Sequence, residues 1–198
     1  MGSYRTVGEE LVAAASPRFK DFRVDFEKIS NAASKSGRGH FFFDSDWDLR
    51  IPLQHRYASE KAFEPIWRYH VTRFKLSFGR DTPWPDEPAN DALQLFASHG
   101  RADLGVQLIR TCVEIHHKRL KRYYSKRNPR GPRGPIDQEA KVVIGAINKV
   151  MAESIPDGKR SLLSKLEAVA PYIEAHGTAE DRAWLEALHR EIWMEKRA

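Results

Sequence analysis

The chain has 198 residues, of which 41% are hydrophobic and 30% are charged, and its formal net charge is +6. This length fits one domain or one domain with a small appendage, and the composition excludes wholesale disorder. The single cysteine, Cys112, excludes an internal disulfide, and the absence of any apolar run near the roughly 20 residues of a membrane helix predicts a cytoplasmic protein without a membrane partner.

The first region, 1–80, is rich in aromatic residues and is expected to be mainly helical. A helix is predicted from Ser16-Pro17, a typical start signal, because apolar residues then recur every three or four positions: Phe19, Phe22, Phe26 and Ile29. The stretch from His40 to Leu53 is the least helical, and short strands or ordered loop are expected at Phe41-Phe42-Phe43 and Leu49-Arg50-Ile51. A second helical pattern runs from about Ser59 to Phe78.

A proline-rich segment, 81–88, is expected to be a rigid linker, because three prolines in six residues do not continue a helix. The region that follows, 89–198, carries several helical patterns separated by short breaks, which imply antiparallel neighbours. Its first helix pair, Ala89–Lys126, resembles the helical hairpin of tetratricopeptide repeats but lacks that family's Trp, Leu-Gly and Tyr pattern. The prediction is an all-α or nearly all-α protein, an antiparallel helical bundle or short array of helical hairpins in one continuous globular unit.

The longest predicted helix, from Ala102 to about Lys126, has two apolar stripes and is therefore expected to be central. Cys112 and His116 fall within the wider stripe. No second Cys/His pair exists to complete a tetrahedral metal site, so both are expected to be packed core residues. A thiol on such a face is expected to be inert rather than a nucleophile.

The positive charge is concentrated at the end of this helix and in the loop after it. Between Arg101 and Pro135 there are ten Lys/Arg and two Asp/Glu, a net of +8, so the rest of the chain carries −2. The candidate binding residues for nucleic acid or an acidic protein are Lys118, Arg119, Lys121, Arg122, Lys126, Arg127, Arg130 and Arg133. The alternative is a solvated helix end, because cations are favoured at helix C-termini.

The candidate metal ligands are the ionisable residues that cluster in the non-helical stretch: His40, Asp44, Asp46 and Asp48. Alternate carboxylates on a strand would share one side and suit Mg²⁺ or Mn²⁺. A calcium loop that starts at Asp44 is excluded, because Leu49 and His55 stand where glycine and glutamate are required. The alternative is a turn whose aspartates cap backbone amides, and no cofactor is predicted.

Three functions follow from these patterns. The first is a non-enzymatic binding protein that contacts nucleic acid or an acidic protein through residues 118–133. The second is a helical scaffold or homo-oligomer that binds through its aromatic half. The third is a metal-dependent hydrolase at His40, Asp44, Asp46 and Asp48.

Overall fold

The computed structural model describes residues 4–35, 47–76, 84–125 and 162–194, and all regular structure in these ranges is α-helical. The predicted all-α class is thereby confirmed. None of the helices in the described part of the chain is long and apolar enough to cross a membrane. The helices are α1 (Tyr4–Ala14), α2 (Phe22–Lys35), α3 (Trp47–Ser59), α4 (Phe63–Leu76), α5 (Glu87–Ser98), α6 (Ala102–Ser125), α7 (162–176) and α8 (Ala179–Met194).

The predicted start of the first aromatic helix at Ser16-Pro17 is wrong. The helix α2 begins at Phe22, because the Oδ1 atom of Asp21 accepts the backbone N–H of Val24 at 3.1 Å and caps it. Residues 16–20 form a connector from α1, in which Phe19 has a φ of 58°. The capping aspartate therefore outweighs the Ser-Pro signal.

The expected strand or loop at Leu49-Arg50-Ile51 is also wrong, because these residues lie in α3. The sequence pattern is misleading here because α3 has buried side chains on more than one side, including Pro52, and so lacks a simple amphipathic period. Helices α1 and α5 both pack against α3, which explains this burial. The residues Phe41-Phe42-Phe43 lie outside the described residues.

Two prolines, Pro65 and Pro88, stand in the first turns of helices. Pro65 follows the start of α4 by two residues, and Pro88 is the second residue of α5. Both positions tolerate proline because their backbone N–H groups have no partner within the helix. The helix α5 begins at Glu87, inside the predicted linker, because Asp86 caps it by accepting the backbone N–H of Ala89 at 3.1 Å.

Two other helix ends agree with the sequence signals. Gly100 follows α5 with a φ of 71°, the left-handed conformation that glycine adopts at little cost. At the start of α8, the backbone N–H of Asp181 donates to Thr178 Oγ1 at 3.2 Å. Asp181 Oδ2 in turn accepts the Thr178 backbone N–H at 2.9 Å, which completes a capping box.

One hydrophobic core receives side chains from all eight helices. In the first half, the aromatic residues pack inward: Phe22 and Tyr57 rings lie 5.1 Å apart, and Phe74 and Trp84 rings lie 5.5 Å apart. Such ring pairs are worth about 0.5–1.5 kcal/mol beyond the burial of their area. Packing in the core therefore accounts for these aromatic side chains.

Helices α6 and α7 approach closely at Gly105. A β-carbon there would lie 2.1 Å from the Tyr172 hydroxyl oxygen, which donates a 3.1 Å hydrogen bond to the Leu93 carbonyl. We expect Gly105→Ala to lower the free energy of unfolding by about 1–3 kcal/mol through overpacking, measured by urea denaturation. The double variant Gly105→Ala, Tyr172→Ala should lose less free energy of unfolding than the sum of the losses in the two single variants. Strictly additive losses would contradict the contact.

Candidate functional site

The helix α6 is central, as its two apolar stripes predicted. Residues of both stripes are buried, among them Leu108, Ile109 and Cys112. Helices α4 and α5 pack on α6, and Tyr172 from α7 contacts Gly105. The N-terminal two thirds of α6 therefore belong to the core, and only its C-terminal end is available for a site.

Cys112 and His116 are buried, which confirms their prediction as core residues. Burial raises the pKa of the Cys112 thiol to about 12, so the nucleophilic thiolate is not formed at neutral pH. Burial, followed by the positive charges of Lys165 and Arg119, lowers the pKa of His116 to about 4. Neither residue has the chemistry of a catalytic pair.

Two arginines, Arg101 just before α6 and Arg110 within it, have carboxylate partners. Arg101 forms a 3.1 Å ion pair with Asp103. Arg110 donates to Asp181 of α8 at 2.7 Å, and its guanidinium lies 5.2 Å from the Trp184 ring centroid. Burial alone would raise the pKa of Asp181, but hydrogen bonds from Thr178 and Arg110 outweigh it and hold the pKa below its usual range.

The first two candidate residues of the basic segment, residues 118–133, have different environments. The Lys118 side chain is 73% exposed, and its ammonium lies 3.9 Å from Glu114, which is the outer limit of an ion pair. Arg119 instead bonds to the end of α4: it donates to the carbonyls of Phe74, at 3.4 Å, and of Lys75. A cation at these last-turn carbonyls stabilises the helix end, so Arg119 also has a structural role.

The remaining candidates of the basic segment are less fully described. Lys121 and Arg122 lie on α6, which continues to Ser125. Positions 118, 121 and 122 share one helical face, because residues three and four apart are neighbours on a helix. Lys126, Arg127, Arg130 and Arg133 lie outside the described residues.

The candidate metal ligands are not brought together by the described part of the chain. Asp48 is the second residue of α3 rather than part of a strand. His40, Asp44 and Asp46 lie outside the described residues. Among the described ranges, no group of three or more His, Cys, Asp or Glu side chains is placed to hold a metal ion.

Asp25 is a buried carboxylate that joins three segments. It accepts the backbone N–H groups of Arg18 and Phe19, at 2.8 and 3.1 Å, and the hydroxyl of Tyr57 on α3 at 2.6 Å. Burial and then the bond to Asp25 raise the pKa of Tyr57 well above its usual range. The carboxylate fixes the connector before α2 against α3, which is a structural role.

A second buried polar group is His70 on α4. Its Nε2 atom lies 2.5 Å from the Gln54 Oε1 atom, and the Gln54 amide donates to the Pro88 carbonyl at 3.1 Å and to Asp91 at 2.9 Å. Burial lowers the pKa of His70 to about 3, so its imidazole is neutral and donates to Gln54. The network ties α3 and α4 to the start of α5.

A groove between α2 and α4 was not predicted from the sequence. This groove has a volume of about 500 Å³, and its lining includes five cations and two carboxylates. The cations come from three separate parts of the chain: Lys20, Arg23, Arg50, Arg68 and Arg73. Arg68 and Arg73 belong to a stretch, 65–80, that has four Lys/Arg and no Asp/Glu, whereas the other three cations come from elsewhere. Only their convergence in three dimensions reveals the full positive charge.

No protein-family model, no curated protein and no solved structure matches the chain.

Proposed function

We propose that the protein is a non-enzymatic binding protein that holds a polyanion on its basic segment, which we define as residues 118–133. The observation that carries this proposal is charge segregation: eight Lys/Arg residues and no Asp/Glu lie between His116 and Ile136. Cations of this density neutralise phosphates and release condensed counterions, which supplies affinity without sequence specificity.

The described residues support the proposal by separating structural cations from available ones. Arg110, which precedes the basic segment, has a part-buried carboxylate partner, Asp181, at 2.7 Å. Lys118, the first residue of the segment, has only a 3.9 Å contact to Glu114. Exposed pairs of this kind contribute about 0–1 kcal/mol, so a phosphate displaces the glutamate at little cost.

Single-stranded nucleic acid is the polyanion that the sequence favours over an acidic protein. Tyr123 and Tyr124 stand among the cations, and aromatic residues beside a basic surface provide stacking partners for bases. An acidic protein offers charge but no bases to stack. The two ligand classes are therefore distinguished by whether unstacked bases add affinity beyond charge.

The test compares two variants by fluorescence anisotropy with a labelled single-stranded oligonucleotide. In the first variant, Lys118, Lys121 and Arg122 are replaced by serine; in the control, Lys28, Lys35 and Arg56, which are exposed on α2 and α3, are replaced by serine. We expect the first variant to weaken binding by about tenfold or more and the control to change it by less than about threefold. Equal losses in both variants would contradict the proposal.

Polyglutamate of similar length is the competitor that identifies the ligand class. We expect it to displace the oligonucleotide poorly, because it lacks bases. If polyglutamate displaces the oligonucleotide at an equal concentration of charge, the basic segment binds acidic proteins instead.

The other two functions remain predictions. In the described residues, the large hydrophobic side chains that are exposed are Val24 and Leu76, so the aromatic half presents no broad apolar face there. The hydrolase prediction rests mainly on residues outside those described.

A further inference from the structure

We propose that the groove between α2 and α4 binds a small anion with a flat apolar body, such as an aromatic carboxylate or an aromatic phosphate ester. This proposal does not depend on the basic segment. Its volume of about 500 Å³ lies within the roughly 300–1,000 Å³ that is typical of small-molecule sites.

The charge of the lining selects an anion. Five cations and two carboxylates line the groove. Asp21 caps α2, and Glu27 pairs with Arg23 at 2.7 Å. The lining carries a formal net charge of +3, which repels a cationic ligand and attracts an anion.

Arg50 is held between two aromatic rings of the groove. Its guanidinium carbon lies 5.3 Å from the Phe26 ring centroid and 5.9 Å from that of Tyr69. Contact with two rings restricts the side chain before any ligand arrives. An anion that bonds to Arg50 therefore costs less conformational entropy than one that must order a flexible lysine.

Arginines at the rim can join the ligand. Arg23 and Arg68 are paired with Glu27 and Glu64, but all four side chains are more than half exposed. Such pairs contribute little, so they can be exchanged for a ligand carboxylate or phosphate. Arg73 is held in place by its 2.5 Å ion pair with Asp86, which offsets its charge.

The apolar part of the ligand is selected by the remaining lining. Phe26 and Tyr69 are half-buried, and Leu76, which is 59% exposed, is one of the few large hydrophobic side chains in the described residues that face solvent. A small inorganic anion would leave this surface in water. A flat ring covers it and gains the burial of apolar area.

The test is isothermal titration of the full chain with naphthalene sulfonate and with naphthylmethylamine, which present the same ring with opposite charges. We expect the sulfonate to bind at least about tenfold more tightly. Arg50→Gln should weaken the sulfonate about tenfold, because a charge-assisted hydrogen bond is lost. Naphthoate and naphthyl phosphate then distinguish a carboxylate ligand from a phosphate ligand.

The matched control is Arg56→Gln, because Arg56 lies on the same helix and its guanidinium lies 5.7 Å from the Phe19 ring, outside the groove. We expect no change in affinity from this variant. Leu76→Asp, at an exposed position, should weaken the binding of the sulfonate. This variant tests the groove even if Arg50→Gln does not fold. Serine at Lys118, Lys121 and Arg122 should leave sulfonate binding unchanged, which separates this proposal from the basic segment.

Three results would overturn the proposal. These are no measurable binding of the sulfonate, equal affinity for the sulfonate and the amine, and equal loss of affinity in Arg50→Gln and Arg56→Gln.

Discussion

Replacing Asp25 with alanine is expected to lower the free energy of unfolding by about 3–5 kcal/mol. Asp25 is 3% exposed and accepts three hydrogen bonds, from the backbone N–H groups of Arg18 and Phe19 and from the Tyr57 hydroxyl. Alanine leaves the buried Tyr57 hydroxyl and the two part-buried backbone N–H groups without this acceptor, and an unsatisfied buried donor costs about 1–3 kcal/mol. Urea denaturation followed by circular dichroism measures the effect.

Asp25→Asn is the matched control, because its carbonyl oxygen retains one acceptor site in the same place. We expect it to cost less than half as much as the alanine variant. A loss below about 1 kcal/mol for Asp25→Ala would contradict the role of the carboxylate in joining the connector to α3.

Acidification from pH 7 to pH 5 is expected to lower the free energy of unfolding by about 4 kcal/mol through His70 and His116 together. Burial holds the pKa of His70 at about 3 and that of His116 at about 4. The unfolded chain, with histidine pKa values near 6.5, therefore binds protons first. Stability is fully present above about pH 6.5 and is lost as the pH falls toward 4 for His116 and 3 for His70.

Urea denaturation at pH 7 and pH 5 measures this dependence. His116→Leu should remove about half of it, because one of the two buried groups no longer titrates. His55→Asn serves as the control, because His55 is exposed beside Asp91. An unchanged pH dependence in His116→Leu would contradict the burial of a neutral imidazole.

The sequence predicted the all-α class because most helices have an apolar stripe and clear boundary signals, such as Gly100 after α5 and Thr178 before α8. It failed at α3, where neighbours on several sides remove the amphipathic period. It also failed at Ser16-Pro17, where Asp21 caps α2 and Asp25 holds the backbone of the preceding connector. Both errors arise where tertiary contacts outweigh local preference.

The site was predictable only where its residues are contiguous. The basic segment is a run of cations in the sequence, whereas Arg50, Arg68 and Lys20 become neighbours only when α2, α3 and α4 pack. The structural role of Arg119 depends in the same way on a distant partner, because it donates to the carbonyl of Phe74 at the end of α4, 45 residues away in sequence. Sequence spacing carries no information on such distant partners.

Binding of the unmodified protein to a single-stranded oligonucleotide, measured over a range of salt concentrations, tests most directly whether residues 118–133 neutralise a polyanion. Four or more phosphate contacts predict that the logarithm of the binding constant falls with the logarithm of salt concentration with a slope of about −3 or steeper. A slope near zero, or no binding at about 50 mM salt, would contradict the proposed function.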